Sequence, residues 1–402
     1  MRLFLLNIKT IIIIAFLLRV IWACFIPVDP VSDSFLYDAF AKSIATGNGY
    51  AFANGDITVY WPVGTSAIYA ALYKLFGVSH LPIVIFNVLI GVLIVWLTHA
   101  IALRYLGQKS AQIAAILIAC WPILIEFTTI LASELIFIFL VLAALYVWGT
   151  KTLNPFVRAV IWGALICAAT YVRPTALPLL ALLPALAWFA ERNIRACIVS
   201  FSIATLSAAL LFSPWVYRNY QQFGEFVLVS ANGGVNLWMG NNASSNGGYT
   251  ELPIIDVKNE VARDHYFKRE AIQFIKDNPQ AYLKLAVLRA VITYKAETIG
   301  IVWNGYIEKN VEKTKLLVIK LMSSVYWWLM LALGIVGIYK MLKDRKLNLF
   351  HPALVVPAFF FVFPILTVAQ DRYHLPINPF LAMFAAYAIQ QFFEPRLSNI
   401  AV

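Results

Sequence analysis

The sequence predicts a mainly α-helical, polytopic membrane protein, and three observations lead to that fold class. Of its 402 residues, 61% are hydrophobic and only 13% are charged. The mean hydropathy is +0.77. Apolar runs long enough to cross a bilayer recur along the chain. A soluble protein of this length could not bury so much apolar surface, so we expect about ten transmembrane helices, interfacial helices in the first outer loop and a small extracytoplasmic cap.

The predicted transmembrane helices follow the apolar runs in chain order. The first run has a basic flank but no small-residue cleavage site, so we expect it to remain as an uncleaved helix. Within it, we expect Arg19 to snorkel to the membrane surface or to point into a cavity. The predicted spans are residues 8–26, 81–103, 110–128, 132–150, 155–171, 175–190, 196–213, 316–340, 351–369 and 376–393.

The charge distribution predicts the topology. An even number of spans places both termini on one side, and basic residues such as Arg2, Arg104, Lys151 and Arg396 dominate that side. The positive-inside rule identifies it as the cytoplasmic side, which for a bacterial protein means the inner membrane. Carboxylates concentrate in the outer segments instead. Topology therefore explains the net charge of +11, and we exclude nucleic acid as a partner.

Two long non-spanning segments on the outer side divide the chain. Residues 1–214 form an N-terminal transmembrane module with the first outer loop at 27–80, residues 215–315 an extracytoplasmic segment, and residues 316–402 the C-terminal transmembrane helices. Within the first loop, "SFLYDAFAKSIATGNGY" and "WPVGTSAIYAALYKLFG" have apolar residues at helical spacing, which predicts helices that lie in the membrane interface. A Gly/Asn-rich stretch and a charged helical pattern in the second segment predict the small cap.

Motifs for soluble substrates and metals are lacking in the sequence. It contains no Walker loop, no dinucleotide-binding glycine pattern and no HExxH, and its five histidines show no ligand spacing. Nucleotide sugars and ATP are therefore excluded as substrates. The four cysteines all lie in apolar runs, so we expect them to be small core residues rather than members of disulfides.

Two acidic residues at the outer membrane boundary are candidates for chemistry. Asp33 and Tyr37 are one helical turn apart in "SDSFLYDAF", so they share a face near the start of a helix. Glu134 follows Ser133 at the outer end of the fourth span, where a carboxylate is unfavourable unless it is paired, hydrated or functional. The alternative for both acids is helix capping, by Ser32 or Asp33 in the first case and by Ser133 in the second.

Three arginines at the same boundary are candidates for phosphate binding. Arg173, Arg218 and Arg372 could each hold a phosphate through the planar fork of guanidinium donors. The alternative is an ordinary membrane anchor beside aromatic residues. Together with the outer acids, they suit an anionic lipid whose phosphate lies at the headgroup level. We expect Glu126 and His374 to be interfacial residues without a catalytic role.

An ordered series of segments resembles a known family. It comprises "SDSFLYDAFAKSIATGNGY", "YWPVGTSAIYAALYKLFG", "LASELIFIFLVLAALY", "YVRPTALPLL", "SPWVYRNYQQFGEFVLVSANGGVNLWMGNN" and "QDRYHLPINPFLAMFAAYAI". The series resembles bacterial membrane glycosyltransferases of the GT-C type. More narrowly, it is similar to the dolichyl-phosphate-mannose protein mannosyltransferase-like family, which includes lipid A aminoarabinose transferase. The segment "WPVGTS" departs from the pattern of that family.

The resemblance implies an enzyme that transfers a sugar, hexosyl or pentosyl, from a polyprenyl phosphate to an acceptor hydroxyl at the outer face of the membrane. Acceptors of this kind are glycolipids, glycans and proteins. Asp33 matches the family's catalytic carboxylate in the Asp-x-x-x-Tyr pattern and Glu134 the acid of the second outer loop. The implied substrate-binding residues are Tyr37, Arg218, Arg372, Tyr373, Arg173 and Trp61.

The implied mechanism is a single displacement. Asp33 would act as general base on the acceptor hydroxyl, and the anomeric centre would be inverted. Whether a divalent metal takes part is left open; Asp33 and Glu134 would be its ligands. Two alternatives also remain open, namely a flippase or transporter of lipid-linked sugars and an oligosaccharide polymerase or ligase. The sequence names neither the sugar nor the acceptor.

Overall fold

The computed structural model describes residues 6–393, and its secondary structure is helical. Eighteen α-helices and three 3₁₀ helices fill this range, which contains no β-strand and one isolated antiparallel bridge between Ala51 and Ile57. The prediction of a mainly α-helical polytopic protein is confirmed. Arg2 and Arg396, which the charge argument places on the cytoplasmic side, lie outside the described residues.

The α-helices, in chain order, are α1 (Ile8–Phe25), α2 (Asp33–Ala45), α3 (Gly64–Phe76), α4 (Leu81–Leu106), α5 (Gln108–Ala119), α6 (Pro122–Glu126), α7 (Glu134–Trp148), α8 (Pro155–Val172), α9 (Leu179–Glu191), α10 (Ile194–Phe223), α11 (Gly233–Gly240), α12 (Glu260–Asp277), α13 (Pro279–Tyr294), α14 (Ile299–Val302), α15 (Gly305–Asn310), α16 (Lys313–Lys343), α17 (Pro352–Leu366) and α18 (Asn378–Phe393). The 3₁₀ helices are Phe127–Thr129, Pro174–Ala176 and Asp371–Ile377.

Each predicted span coincides with a helical segment, but the lengths differ from the prediction. Among the described residues, five helices are long and apolar enough to cross a membrane, namely α1, α4, α8, α10 and α16. The predicted span 110–128 is broken, because α5 and the segment Pro122–Thr129 meet at a bend of 58°. Pro122 explains the break, since it disfavours helical geometry at the residue before it, and Trp121 is extended there. The count of ten spans stays a prediction.

The outer segments fold as short helices around the ends of the long ones. In the first outer loop, α2 and α3 pack against each other, and α3 also contacts α8. In the second, α10 continues without interruption through residue 214, and the cap that follows consists of α11 to α15. Asn259 caps α12, the charged helix that the sequence predicts, by accepting a hydrogen bond from the Ala262 amide.

Arg289 joins the cap to the transmembrane helices. Its side chain is fully buried, and it donates to the carbonyl oxygens of Ile365 at 2.5 Å and Gly240 at 2.6 Å. A further bond reaches Asn241 Oδ1 at 2.8 Å. One guanidinium thus ties α13 to the end of α17 and to the end of α11, which fixes the cap over the C-terminal helices.

Arg19 and two of the cysteines differ from their predictions. Arg19 does not snorkel: it is fully buried, and Nη1 donates to the carbonyl oxygens of Ala15 and Ala119. Gly91 makes room for it, because a Cβ there would lie 2.3 Å from Arg19 Nε. All four cysteines are free as expected, but Cys24 and Cys120 are exposed rather than core residues.

Candidate active site

A large cavity lies where the first outer loop, the cap and the C-terminal helices meet. Its volume is about 1800 Å³. Asp33 lines it at the start of α2, Trp61 precedes α3, Glu260 starts α12, and Trp303 follows α14. Residues that are more than 200 positions apart in the sequence therefore line the same cavity. Other lining residues are Phe35, Phe52, Tyr60, Tyr249, Lys258, Arg263, Lys295, Gln370 and Asp371.

Asp33 does not serve as a helix cap. It is the first residue of α2, and the preceding Ser32 has a φ of 54° and makes no side-chain capping bond. Ser34 instead bonds the backbone of Val31 through its hydroxyl. A positive φ at a residue other than glycine is strained, so the turn holds Asp33 at some conformational cost. The carboxylate of Asp33, 26% exposed, is thereby presented at the cavity wall.

Arg372 connects the two predicted catalytic acids. Its Nη2 donates to Asp33 Oδ2 at 2.7 Å, and its Nη1 lies 3.4 Å from Glu134 Oε1. Nε donates to Gln370 Oε1 at 2.6 Å, and the guanidinium lies 4.0 Å from the ring centre of Trp303. Burial alone would lower the pKa of Arg372, but the carboxylates of Asp33 and Glu134 raise it above its ordinary value, so the charge is permanent.

Glu134 lies behind this contact and away from the cavity. It is only 1% exposed and is absent from the cavity wall. Arg173 Nη2 donates to the same oxygen that faces Arg372, and Arg173 Nε donates to Ser133 Oγ at 2.9 Å. One buried carboxylate therefore faces two guanidinium groups, and Asp33 supplies the second negative charge through Arg372. Removing one partner of such a buried ion pair leaves an uncompensated charge and typically lowers the free energy of unfolding by about 3–5 kcal/mol.

Two tyrosines complete the cluster of charged side chains that Asp33, Glu134, Arg173 and Arg372 form. The Tyr373 ring lies 5.7 Å from the guanidinium carbon of Arg173 and 5.5 Å from that of Arg372, so it packs against both cations. Tyr37 is buried, and burial together with the charges of Asp33 and Glu134 raises its pKa to about 12. Its hydroxyl therefore stays protonated at neutral pH. The structure thus brings together Asp33, Tyr37, Glu134, Arg173, Arg372 and Tyr373 from the predicted set.

Arg218 lies apart from the cluster. Its guanidinium donates to the backbone carbonyls of Thr58 and Tyr50 and to Asn219 Oδ1, and it lies 4.8 Å from the ring centre of Trp215. These bonds hold the first outer loop against α10, and Arg218 is not on the cavity wall. The structure therefore shows a loop-anchoring contact for this arginine and no contact with the acids.

Trp61 and the loop before α3 reach the cavity from another direction. Trp61 lines it together with Tyr60, and the two rings meet edge to face at 4.3 Å. Glu260 fixes this loop, because the Thr58 hydroxyl and the Val59 amide both donate to its carboxylate. The loop before α3 is thus held at the cavity by a residue of the cap.

A second buried network is centred on Glu297, and no motif in the sequence predicts it. Its carboxylate is fully buried and accepts from Trp121 Nε1 at 2.9 Å and Asn378 Nδ2 at 2.9 Å, and it lies 3.0 Å from His374 Nε2. The neighbouring Thr298 donates to Asp371 through its amide and hydroxyl. His374 is therefore buried rather than interfacial. The network anchors the 3₁₀ helix Asp371–Ile377, which carries Arg372.

Glu126 also differs from its prediction as an interfacial residue. It is 2% exposed and accepts a hydrogen bond from Ser323 Oγ at 2.7 Å. Gly300 makes this possible, because a Cβ at that position would lie 2.2 Å from Glu126 Oε2. Glu126 thus packs α6 against α14 and α16 inside the protein.

The pair Asp33 and Glu134 does not fit a bridging divalent metal. Both carboxylates already face the guanidinium of Arg372, a cation that a metal ion between them would have to displace. Among residues 6–393, no group of three or more His, Cys, Asp or Glu side chains is arranged to hold a metal ion. The residues of the cluster fit an organic cation between two acids, and Arg372 is that cation.

The comparison with known proteins starts with a family match. Residues 61–217 match the model of the dolichyl-phosphate-mannose-protein mannosyltransferases. This segment contains Trp61, Glu134 and Arg173 but neither Asp33 nor Arg372. No curated protein matches the chain in sequence.

Solved structures share the architecture at low sequence identity. AglB, an oligosaccharyltransferase from Archaeoglobus fulgidus in complex with an inhibitory peptide and a dolichol-phosphate, has a TM-score of 0.59 at 14% identity, covering 96% of this chain and 50% of AglB. The oligosaccharyltransferase of that organism in complex with Zn and sulfate has a TM-score of 0.57 at 14% identity, covering 96% and 49%. ArnT from Cupriavidus metallidurans, bound to undecaprenyl phosphate, has a TM-score of 0.47 at 11% identity, covering 95% and 77%.

The chain spans about half the length of the oligosaccharyltransferases that it matches. The matched segment and the common architecture agree with the resemblance found in the sequence: the chain is a polytopic helical protein with the fold of these oligosaccharyltransferases, and over residues 61–217 it is similar to the dolichyl-phosphate-mannose-protein mannosyltransferases.

Proposed function

We propose that the protein is a membrane glycosyltransferase that moves a sugar from a polyprenyl-phosphate donor to an acceptor hydroxyl. The observation that carries this proposal is the carboxylate of Asp33, which lines a cavity of about 1800 Å³ while a buried arginine holds it in place. The family description names a dolichyl-phosphate sugar donor, and the AglB structure contains a dolichol-phosphate. Both support a lipid-linked donor for this chain.

The geometry suggests how Asp33 would act. Arg372 occupies Oδ2, and among the described residues no side chain donates to Oδ1, which leaves that oxygen for the acceptor. The acceptor hydroxyl would give its proton to Asp33 as its oxygen attacks the anomeric carbon. The bond from that carbon to the phosphate oxygen would break on the opposite side, releasing polyprenyl phosphate and inverting the anomeric centre.

Glu134, predicted as catalytic, is better suited to a positioning role. It has no place on the cavity wall and contacts Arg173 and Arg372 instead. Its charge would keep Arg372 at the depth at which Nη2 reaches Asp33. Glu134 thus acts on the reaction through Arg372, and Asp33 alone of the two acids meets the acceptor.

The proposed setting is the outer face of a bacterial inner membrane. The basic residues of the short loops support a cytoplasmic location for both termini, and on that topology the cavity, with α2 and the cap, would face the opposite side. A site at that face would meet lipid-linked sugars and the glycolipids, glycans or proteins of the cell envelope.

Mass spectrometry of envelope lipids and glycans, with and without the gene, tests the proposal. We expect one sugar to be missing from an envelope acceptor in the deletion strain, and wild-type protein should restore it. Purified protein should release free polyprenyl phosphate. A missing oligosaccharide would favour a polymerase or ligase instead, and relocation of lipid without release of polyprenyl phosphate would favour a flippase.

Chelation provides a separate prediction. Because Arg372 lies between Asp33 and Glu134, we expect EDTA to leave the turnover of purified protein unchanged within about twofold. The measurement is the initial rate after dialysis against chelator, with and without added Mg²⁺, Mn²⁺ or Zn²⁺. A loss of activity that a metal restores would contradict this reading of the acidic cluster.

A further inference from the structure

Lys295 is an unpaired cation on the cavity wall. It follows the last residue of α13, is exposed, and lines the same cavity as Asp33. Among the described residues, no carboxylate lies within ion-pair distance of its ammonium group. The three arginines that were predicted to bind phosphate have other partners. Arg372 and Arg173 pair with carboxylates, and Arg218 donates to backbone carbonyls. The cavity would need another cation for a phosphate.

Lys295 lies beside the middle of a helix that is long and apolar enough to span a membrane. Its carbonyl oxygen accepts a hydrogen bond from Trp328 Nε1 at 2.8 Å, and Trp328 lies in the middle of α16. Trp328 is eight positions after Lys320, the last charged residue before the apolar part of α16, which corresponds to about 12 Å along the helix axis. A lysine at such depth is unfavourable unless it has a partner or faces a hydrated site.

Apolar surface continues from Lys295 along α16. Trp328, Ile335 and Tyr339 are 46%, 60% and 64% exposed, and their spacing places them on one face of the helix. This face belongs to a helix that is long and apolar enough to span the membrane, so it is accessible to lipid chains. A cation at the cavity wall above an apolar track matches an amphiphile with an anionic head and a long hydrocarbon tail.

We propose that Lys295 binds the phosphate of the polyprenyl-phosphate donor, with the prenyl chain leaving the cavity along the exposed face of α16. This inference rests on the proposed function, because it names the residue that holds the donor of that reaction. The ammonium would contact the phosphate oxygens and would stabilise the charge that they gain when the anomeric bond breaks. Asp33 and Lys295 would then hold the acceptor and the donor phosphate in one cavity.

Binding of undecaprenyl phosphate to purified protein in detergent tests this role without knowledge of the sugar. Lys295→Met keeps an apolar stem and the backbone bond to Trp328, so the fold should persist. We expect it to weaken undecaprenyl phosphate binding by about tenfold or more, because a charge-assisted contact is lost. Lys295→Arg should retain affinity within about threefold. Lys258→Met, which removes another exposed cation of the same wall, is the matched control and should bind normally.

Three further ligands identify the source of the effect. Undecaprenol, which lacks the phosphate, should bind wild type and Lys295→Met equally. Inorganic phosphate and phosphatidylglycerol should not compete at concentrations at which undecaprenyl phosphate saturates. Unchanged affinity of Lys295→Met for undecaprenyl phosphate, or an equal loss for undecaprenol, would overturn the role of Lys295. Failure of the wild-type protein to bind undecaprenyl phosphate at all would overturn the proposed function itself.

Discussion

Replacing Asp33 by asparagine is expected to lower turnover by at least about 100-fold, the loss typical when a general base is removed. Asparagine has nearly the same shape, and its amide oxygen can still accept the hydrogen bond that Arg372 Nη2 donates to Asp33 Oδ2. The amide cannot take the proton of the acceptor hydroxyl. The variant should therefore fold and bind the donor while the chemical step fails.

The measurement is the initial rate at saturating donor, together with binding of undecaprenyl phosphate to the same preparation. Asp56→Asn is the matched control, because Asp56 also belongs to the first outer loop and lines the same cavity, whereas its carboxylate is bonded to Asn54 and not to an arginine. We expect the control to keep turnover within about threefold. Near-normal turnover of Asp33→Asn would refute the assignment of the base.

The helices could be predicted from the sequence because the patterns that specify them lie within short, continuous segments of the chain. Apolar runs and their flanking polar residues are consecutive in the chain, and each predicted span coincides with a helical segment. The break between α5 and α6 depends on Pro122, a local signal that apolar run length alone does not register. Whether the shorter helices α7, α17 and α18 cross the membrane depends on their tilt and neighbours, which hydropathy does not contain.

The candidate site was harder to predict because its contacts are distant in sequence. Asp33 and Arg372 are separated by 339 positions, and only the family resemblance connected them. Spacing could not distinguish an arginine that meets a carboxylate from one that holds backbone carbonyls, so Arg218 looked equivalent to Arg372. Glu297 carries no motif, and its three side-chain partners lie 77, 81 and 176 positions away in the chain. Burial decides these roles, and burial is a property of the folded chain.

Replacing Glu134 by glutamine should impair both stability and turnover, because the buried guanidinium of Arg372 and the partly buried one of Arg173 lose their shared counterion. Arg173 is left with Ser133 Oγ, and Arg372 is left with Asp33 and Gln370. Uncompensated buried charge typically costs about 3–5 kcal/mol, so we expect a clearly lower melting temperature in detergent. The relaxed position of Arg372 should reduce turnover by at least about tenfold.

A double-mutant cycle separates these two effects. Arg173→Met removes the cation that Glu134→Gln leaves without a carboxylate, so the stability of Glu134→Gln/Arg173→Met should recover towards that of Arg173→Met alone. Turnover should not recover, because Arg372 still lacks Glu134. Glu126→Gln is the matched control: Glu126 is equally buried, but its side chain accepts from the Ser323 hydroxyl rather than from an arginine, so the change should leave turnover within about threefold.

The outcome of the cycle decides whether Glu134 acts through Arg372. Loss of turnover that follows the melting temperature across all variants would mean that Glu134 only stabilises the fold. Full activity of Glu134→Gln would show that Asp33 alone suffices to hold Arg372 at 2.7 Å. Turnover that stays low in a variant whose stability has recovered is the result we expect, since a guanidinium displaced by about 1 Å no longer keeps the carboxylate of Asp33 in position for the acceptor.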